Sequence, residues 1–237
     1  MKSALAAGVA GLLCLGIIGC DQRDAPADTI EQTAEEIVDP AAEPTPLATG
    51  RFAPHDDCAQ VPGAAAFRAS LLQAVDARDG NALAALAADD IRLDFGDGGG
   101  IAELRERLAD PDWGLWGELG EVLRLGCAAN EQGGITIPWI ADQDLAGRDP
   151  FSSMLVTGEA VPVRSAPDPA AVPIRVISWD LVQIESLRPD AAFQQVELPD
   201  GRRGFVATTS LRSPVDYRLT ASSRNGKWSI TSFVAGD

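Results

Sequence analysis

The chain is poor in the side chains that carry most catalytic chemistry. Its 237 residues include one His, one Tyr, two Met and four Cys. The single His, His55, borders an acidic, proline-broken stretch, so a Ser/His/Asp or Cys/His triad is excluded as the basis of function. His55 and Cys58 give only two metal ligands, and the next Cys is at 127, too sparse for a zinc site. Cations are also scarce: Lys plus Arg is 19 against 35 Asp plus Glu, for a net charge of -16. Phosphate contacts need clustered cations, so nucleic acid is not the expected partner. The apolar stretch at residues 4–18 falls short of the roughly 20 residues that span a bilayer. Apolar residues themselves are plentiful at 46%, which excludes disorder along the whole chain. At roughly 100–200 residues per domain, the length allows one large or two small domains.

The N-terminus has the layout of an export signal. Lys2 supplies a positive n-region, and residues 4–18 have the length of a secretory h-region. Ile17-Ile18-Gly19-Cys20 follows directly and resembles the bacterial lipobox. The resemblance implies cleavage before Cys20, diacylation of its thiol and acylation of the new N-terminus. Several chains on one Cys anchor stably, where one chain binds only marginally. Asp21 resembles the inner-membrane retention signal of enteric bacteria and leans the anchor towards that membrane. With residues 1–19 removed and Cys20 lipidated, Cys58 and Cys127 remain as the two thiols in an oxidising compartment. A disulfide between them is expected, the alternative being two free buried thiols.

Residues 20–58 read as an acidic tether. Across residues 21–50, Asp21, Asp24, Asp28, Glu31, Glu35, Glu36, Asp39 and Glu43 face Arg23 alone, and Pro26, Pro40, Pro44 and Pro46 interrupt the segment. Such a stretch buries too little to offset its ordering entropy, and like charges extend it.

From residue 59 the pattern becomes globular. Phe67, Leu71, Leu72 and Val75 recur at helical spacing, and Asp79-Gly80-Asn81 starts a second helix. Residues 91–95 alternate as a strand, and Gly96-Asp97-Gly98-Gly99-Gly100 reads as a turn. Lacking Lys, Ser or Thr, that turn is no phosphate loop. Residues 101–108 are helical, with Glu103 and Arg107 spaced as an ion pair. Asp110-Pro111 opens a further helix that glycines 114, 117 and 120 weaken. Residues 135–140 read as a strand ending near Pro138. From residue 155 short β segments crowd together. Two hairpin turns stand out, at Pro199-Asp200-Gly201 and at Asn225-Gly226.

Val161-Pro162-Val163-Arg164-Ser165-Ala166-Pro167, then Leu181-Val182, Phe193-Gln194-Gln195-Val196 and Asp200-Gly201-Arg202-Arg203-Gly204-Phe205-Val206 occur in that order. The series resembles the bacterial SH3 domain, with Pro162, Ala166 and Phe205 departing from the usual Asn, Gly and Trp. It implies a small β-barrel at residues 155–212. The remaining parts, residues 59–154 and 213–237, resemble the cone-shaped fold of nuclear-transport-factor-2-like proteins. The final Asn225-Gly226-Lys227-Trp228-Ser229-Ile230 hairpin carries much of that likeness. The expected class is α+β: helices on a curved antiparallel sheet, with the barrel inserted before the last hairpin.

Some members of the cone-shaped family are isomerases that use Asp and Tyr in an apolar pocket. Asp94, Asp180, Asp216 and Tyr217 are the pieces this chain offers. Proton transfer would need a buried carboxylate with a raised pKa, and no residue pattern here identifies one. Trp113, Trp116, Trp139, Trp179 and Trp228 read mainly as core. The exception is Trp179, which with Phe193 and Phe205 is the expected aromatic groove of the SH3-like part. The expectation is an envelope lipoprotein facing the periplasm, bound to the membrane through Cys20. Its role is non-catalytic binding of cell-wall peptide or an envelope protein, without cofactor or metal. Two alternatives stand beside it: a ligand carrier or enzyme using a pocket in the cone-shaped part, and a structural envelope component.

Overall fold

A computed structural model describes residues 49–236. The expected signal peptide, Cys20, Asp21 and the tether up to residue 48 lie outside the described residues.

The helices form largely where apolar spacing placed them. Helix α1 is Ala64–Asp76 and α2 is Gly80–Ala85. Phe67, Leu71 and Val75 share one buried face of α1, whereas Leu72 turns to solvent. Asp79 caps α2, its carboxylate accepting from the N–H groups of Asn81 (2.9 Å) and Ala82 (3.0 Å). Strand β1, Ala87–Arg92, starts four residues before the alternation indicated and also stops sooner. The cause is Asp94, which accepts from the N–H groups of Gly96 (2.9 Å) and Gly98 (3.0 Å) and bends the chain out of the strand. Helix α3, Gly100–Ala109, follows, and its Glu103–Arg107 pair forms. The single helix expected after Asp110-Pro111 is two pieces. A 3₁₀ turn at Pro111–Trp113 ends at Gly114, whose φ of 60° cannot continue it, and α4 runs over Leu115–Val122.

The first sheet gathers strands from both ends of the described chain. Strands β2 (Ala128–Ala129) and β3 (Ile135–Ile137) join the C-terminal pair β11 (Arg218–Arg224) and β12 (Lys227–Val234). The order is β1-β12-β11-β3-β2. Neighbours are antiparallel except β1 and β12, which run parallel, so the wholly antiparallel sheet expected is corrected there. A long connection joins those two strands, and without a hairpin turn nothing dictates opposite directions. Asn225 and Gly226, with φ of 54° and 78°, make the tight turn between β11 and β12. One core holds Leu71, Leu104 and Leu119 from the helices with Ile137, Leu219 and Ile230 from the sheet.

Residues 49–58 are packed into this fold. Phe52, Ala53 and Cys58 are buried, and Cys58 is joined to Cys127 by a disulfide with a Cα–Cα distance of 5.7 Å. The N–H of Asp57 donates to the Cys127 carbonyl, and that of Cys127 to the His55 carbonyl. Composition hid this segment because its one large apolar residue, Phe52, stands among polar and small neighbours.

The second sheet occupies the chain between β3 and β11. Its strands are β4 (Ser153–Val156), β5 (Val161–Arg164), β6 (Pro173–Ile177), β7 (Leu181–Gln183), β8 (Phe193–Glu197), β9 (Arg203–Ala207) and β10 (Leu211–Arg212). They pair antiparallel in the order β10-β4-β7-β8-β9-β5-β6, leaving β10 and β6 as ends. No closed barrel forms among the described residues. Two-residue β10 pairs only with β4, and its Arg212 side chain reaches Glu121 of α4 at 2.9 Å instead of turning towards β6. Val156, Val163, Val182, Val196 and Val206 fill the inner side of this sheet. A third cluster of Phe52, Ile140, Leu155 and Leu181 ties the two sheets together. No helix among the described residues is long and apolar enough to cross a membrane.

Candidate binding site

The β8–β9 hairpin lines two adjoining surface clefts. Its register sets Phe193 opposite Ala207, Gln195 opposite Phe205 and Glu197 opposite Arg203. Alternation sends these residues to the outer face, while Gln194, Val196, Gly204 and Val206 turn inward and are buried. The turn closes through Leu198 N–H to the Arg202 carbonyl (2.8 Å), with the Asp200 carboxylate accepting from Arg202 N–H at 3.2 Å. Gly204 is required for the sheet to continue into β5: a Cβ there would stand 2.5 Å from Val163 Cγ1 and 3.0 Å from the Arg164 carbonyl oxygen. The closeness lets Arg164 pair with Phe205 across β5 and β9.

A buried amide shapes one wall. Gln194 is 2% exposed. Its Oε1 accepts from Arg188 N–H (3.1 Å), and its Nε2 donates to the Arg188 carbonyl (2.6 Å) and to Thr208 Oγ1 (2.9 Å). Every polar atom of the amide finds a partner, as burial demands, and the loop before β8 is pinned against β9. Between that loop and the hairpin lies an open cleft of about 450 Å³, lined by Pro167, Arg188, Phe193, Gln194, Gln195 and Phe205. A second cleft of about 340 Å³ adjoins it, lined by Gln183, Glu185, Gln195, Glu197 and Arg203 among others. Sequence reasoning missed Gln194; the available signal was a polar residue at an inward position of an alternating strand.

The expected aromatic triad is brought together only in part. Phe193 and Phe205 line one cleft. Trp179 instead packs against the cluster of Phe52, Ile140, Leu155 and Leu181. Its carbonyl accepts from Phe52 N–H at 2.8 Å, and its φ of 44° belongs to the turn after β6. Trp179 therefore serves the contact between sheets.

The carboxylates considered for catalysis are engaged locally. Asp94 accepts from Arg107 at 2.7 Å, and this bond together with the loop N–H groups lowers its pKa. Asp180 accepts from Leu181 N–H at 2.7 Å. Asp216 accepts from Tyr217 N–H at 2.7 Å, and Tyr217 stacks on Phe233 with ring centroids 4.7 Å apart. Burial raises the Tyr217 pKa. A residue not singled out from sequence, Glu118, joins this neighbourhood. Burial and the nearby Asp216 charge raise its carboxyl pKa, and its Oε2 is buried without a hydrogen-bond partner. Arg212, only 4% exposed in its side chain, faces Glu121, Glu118 and Asp216 at 2.9, 3.8 and 3.5 Å. One guanidinium thus serves three carboxylates.

One group has the proximity of a metal site. Ligand atoms of Asp56, Cys58 and Cys127 lie within 4.8 Å of one another. The two sulfurs are joined to each other and offer no thiolate. Asp56 is occupied by Arg68 at 2.6 Å and by Cys58 N–H at 3.1 Å. The donor set does not fit a cation. No family model, no curated protein and no solved structure matches this chain.

Proposed function

We propose that the protein is a lipid-anchored envelope binder that holds a short cell-wall peptide in the cleft between Phe193 and Phe205. The observation that carries this reading is the cleft itself. Two outward aromatic rings flank Gln195 on a hairpin held in place by a buried, fully bonded Gln194. Aromatic rings beside amide donors and acceptors are the surface on which extended peptides dock. The pairing of Arg164 with Phe205 supports the SH3-like reading, since it sets the opening and closing motifs side by side. The common core of helices and C-terminal hairpin supports the cone-shaped reading of the rest. The Cys58–Cys127 disulfide supports a compartment outside the cytosol, and the lipobox-like Cys20 supplies the anchor.

The test is retention on purified cell-wall sacculi. The portion from residue 49 should co-sediment with them, and Phe193→Ala with Phe205→Ala should abolish it while unfolding stays cooperative. Unchanged retention of the double variant would remove the cleft from the reading. Cys20→Ala should move the full-length protein from the membrane to the soluble fraction.

One observation favours a second reading, a ligand pocket in the first sheet's half of the fold. A carboxyl of raised pKa, Glu118, sits beside Tyr217 and Asp216. Groups perturbed in this way gather at functional sites. Small-ligand binding that is lost in Tyr217→Phe, with sacculus retention intact, would favour it.

A further inference from the structure

We infer that the edge of the second sheet at the β5–β6 hairpin is a membrane-contact face, which seats its apolar side chains in the interface of a phospholipid bilayer. The inference rests on the lipid anchor in the reading above and adds the part of the folded chain that meets the same membrane. Strand β6 ends the second sheet. Val172, Ile174 and Val176, on the strand and just before it, are 69%, 38% and 58% exposed. In residues 165–177 only Asp168 and Arg175 are charged; the rest are Ala, Pro, Val, Ile and one Ser. An exposed apolar stretch of this kind marks a contact surface.

The edge is built against cover by another strand. Pro162 lies opposite Val176 and has no N–H, so that pair is not hydrogen-bonded, and the N–H and carbonyl of Val176 turn to the open side. Pro173 removes a donor from the same edge, and Arg175 stands in the middle of β6. Two copies pairing antiparallel along the whole of β6 would set Arg175 against Arg175, an unfavourable like-charge contact. A bilayer interface makes no such demand. Water and headgroups satisfy the free backbone groups, while apolar side chains enter the acyl boundary to a depth of roughly 5–10 Å.

Charge fits the phosphates of the headgroups. Arg175 and Arg202 share the one carboxylate of Asp200 at 3.1 and 2.8 Å, which leaves a guanidinium charge in excess. Arg164 stands behind the loop, donating to the Ala171 carbonyl at 2.8 Å. On a chain whose net charge is -16, this local excess favours the approach of phosphate at the hairpin.

The entry point of the chain favours the bilayer as the occupant. Thr49 donates to the Glu159 carboxylate from its N–H (2.6 Å) and its hydroxyl (2.8 Å), and Glu159 lies just before β5. A Cβ on Gly50 would stand 2.1 Å from the carbonyl oxygen of Ser178, the residue after β6. The first described residues therefore lie against the base of the β5–β6 hairpin. Fewer than thirty residues separate Thr49 from Cys20, so the anchor lies within about 100 Å of that base even at full extension. An anchor so close makes the meeting of hairpin and bilayer an intramolecular event.

The test places the full-length acylated protein in vesicles of phosphatidylethanolamine and phosphatidylglycerol. With Cys20 acylated and Cys58 bridged to Cys127, Val172→Cys supplies one free thiol for an environment-sensitive fluorophore. Leu72→Cys, at an exposed position on α1, carries the same label as the control. Lipid-borne nitroxides should quench the label at position 172 about fivefold more than the label at position 72. Adding Val176→Asp should reduce the quenching at position 172 by about half and leave Tm unchanged. Protein that floats with the vesicles but shows equal or no quenching at the two positions would overturn the contact face and leave the anchor standing. Protein that does not float with them would remove the anchor, and the contact face with it. Emission at position 172 that shifts to the blue with rising protein concentration, untouched by lipid nitroxides, would overturn the proposal in favour of a second copy on this edge.

Discussion

Three acidic side chains around Arg212 give Glu118 a measurable signature. Its folded pKa is raised, chiefly by burial and by the Asp216 charge. A raised carboxyl contributes stability that is fully present below its unfolded pKa and is lost as pH rises through the folded value. At neutral pH the ionised Glu118 therefore weakens the fold. Glu118→Gln should raise Tm at pH 7.5 by about 2 °C, the scale of a sub-kcal/mol change in a chain of this size. The gain should vanish towards pH 4, where the parent carboxyl is protonated too. Parallel melting curves at both pH values would show that Arg212 already neutralises the carboxylate. Residue by residue, legibility in the sequence followed distance along the chain. The Glu103–Arg107 pair and the Asp79 cap were readable, because both partners lie within one helical turn. Glu118 was not, because its partners Arg212 and Asp216 are contributed by chain about a hundred residues further on. Trp179 was misassigned for the same reason: its neighbour Phe52 comes from a segment whose composition looked like tether.

Among the elements, hairpins and capped helices were the most legible, since their signals are local turn chemistry. The turns at Gly201 and at Asn225-Gly226 fall where their residues put them. The edges of the second sheet were not legible. A series of short strands is compatible with a closed barrel or an open sheet. Closure depends on whether the end strands meet, and β10 is instead held towards α4 by Arg212. The segment before α1 depends on the Cys58–Cys127 bridge, which spans 69 residues. In the chain-entropy account a loop of that length is worth on the order of 4 kcal/mol. Cys58→Ala with Cys127→Ala should lower the urea midpoint and steepen the slope, because the unfolded chain without the crosslink exposes more surface. Reduction of the parent should reproduce the loss. A double variant as stable as the parent would mean that Phe52 and the Asp57–Cys127 backbone bond hold this segment without the crosslink.

At the scale of the molecule, the arrangement of the two sheets determines which cuts the chain tolerates. Strands β11 and β12 are the middle of the first sheet, with β12 between β1 and β11, and β11 between β12 and β3. Ending the chain at Arg212 removes both, and with them Leu219, Ala221, Ile230 and Phe233 from the core that α1, α3 and α4 share. Each large buried side chain lost costs about 2–5 kcal/mol, so the sum exceeds the whole stability of a domain. The truncated protein should therefore lose cooperative unfolding and the near-ultraviolet dichroism of Trp116. Excision of the second sheet is a different operation. Ile137 at the end of β3 lies directly opposite Leu219 near the start of β11, so the chain leaves and re-enters the first sheet on adjacent strands, five residues before one cut and three residues after the other. Replacing residues 143–215 by a short Gly/Ser loop turns the long connection into a hairpin. The first sheet and its core stay complete, while Phe52 and Ile140 lose Leu155 and Leu181. The excised protein should melt cooperatively at a lower Tm than the parent and lose retention on sacculi. A truncated chain that still unfolds cooperatively would show that the helices fold without the C-terminal hairpin. An excised chain that keeps its retention would move the binding site out of the β8–β9 hairpin and towards Glu118 and Tyr217.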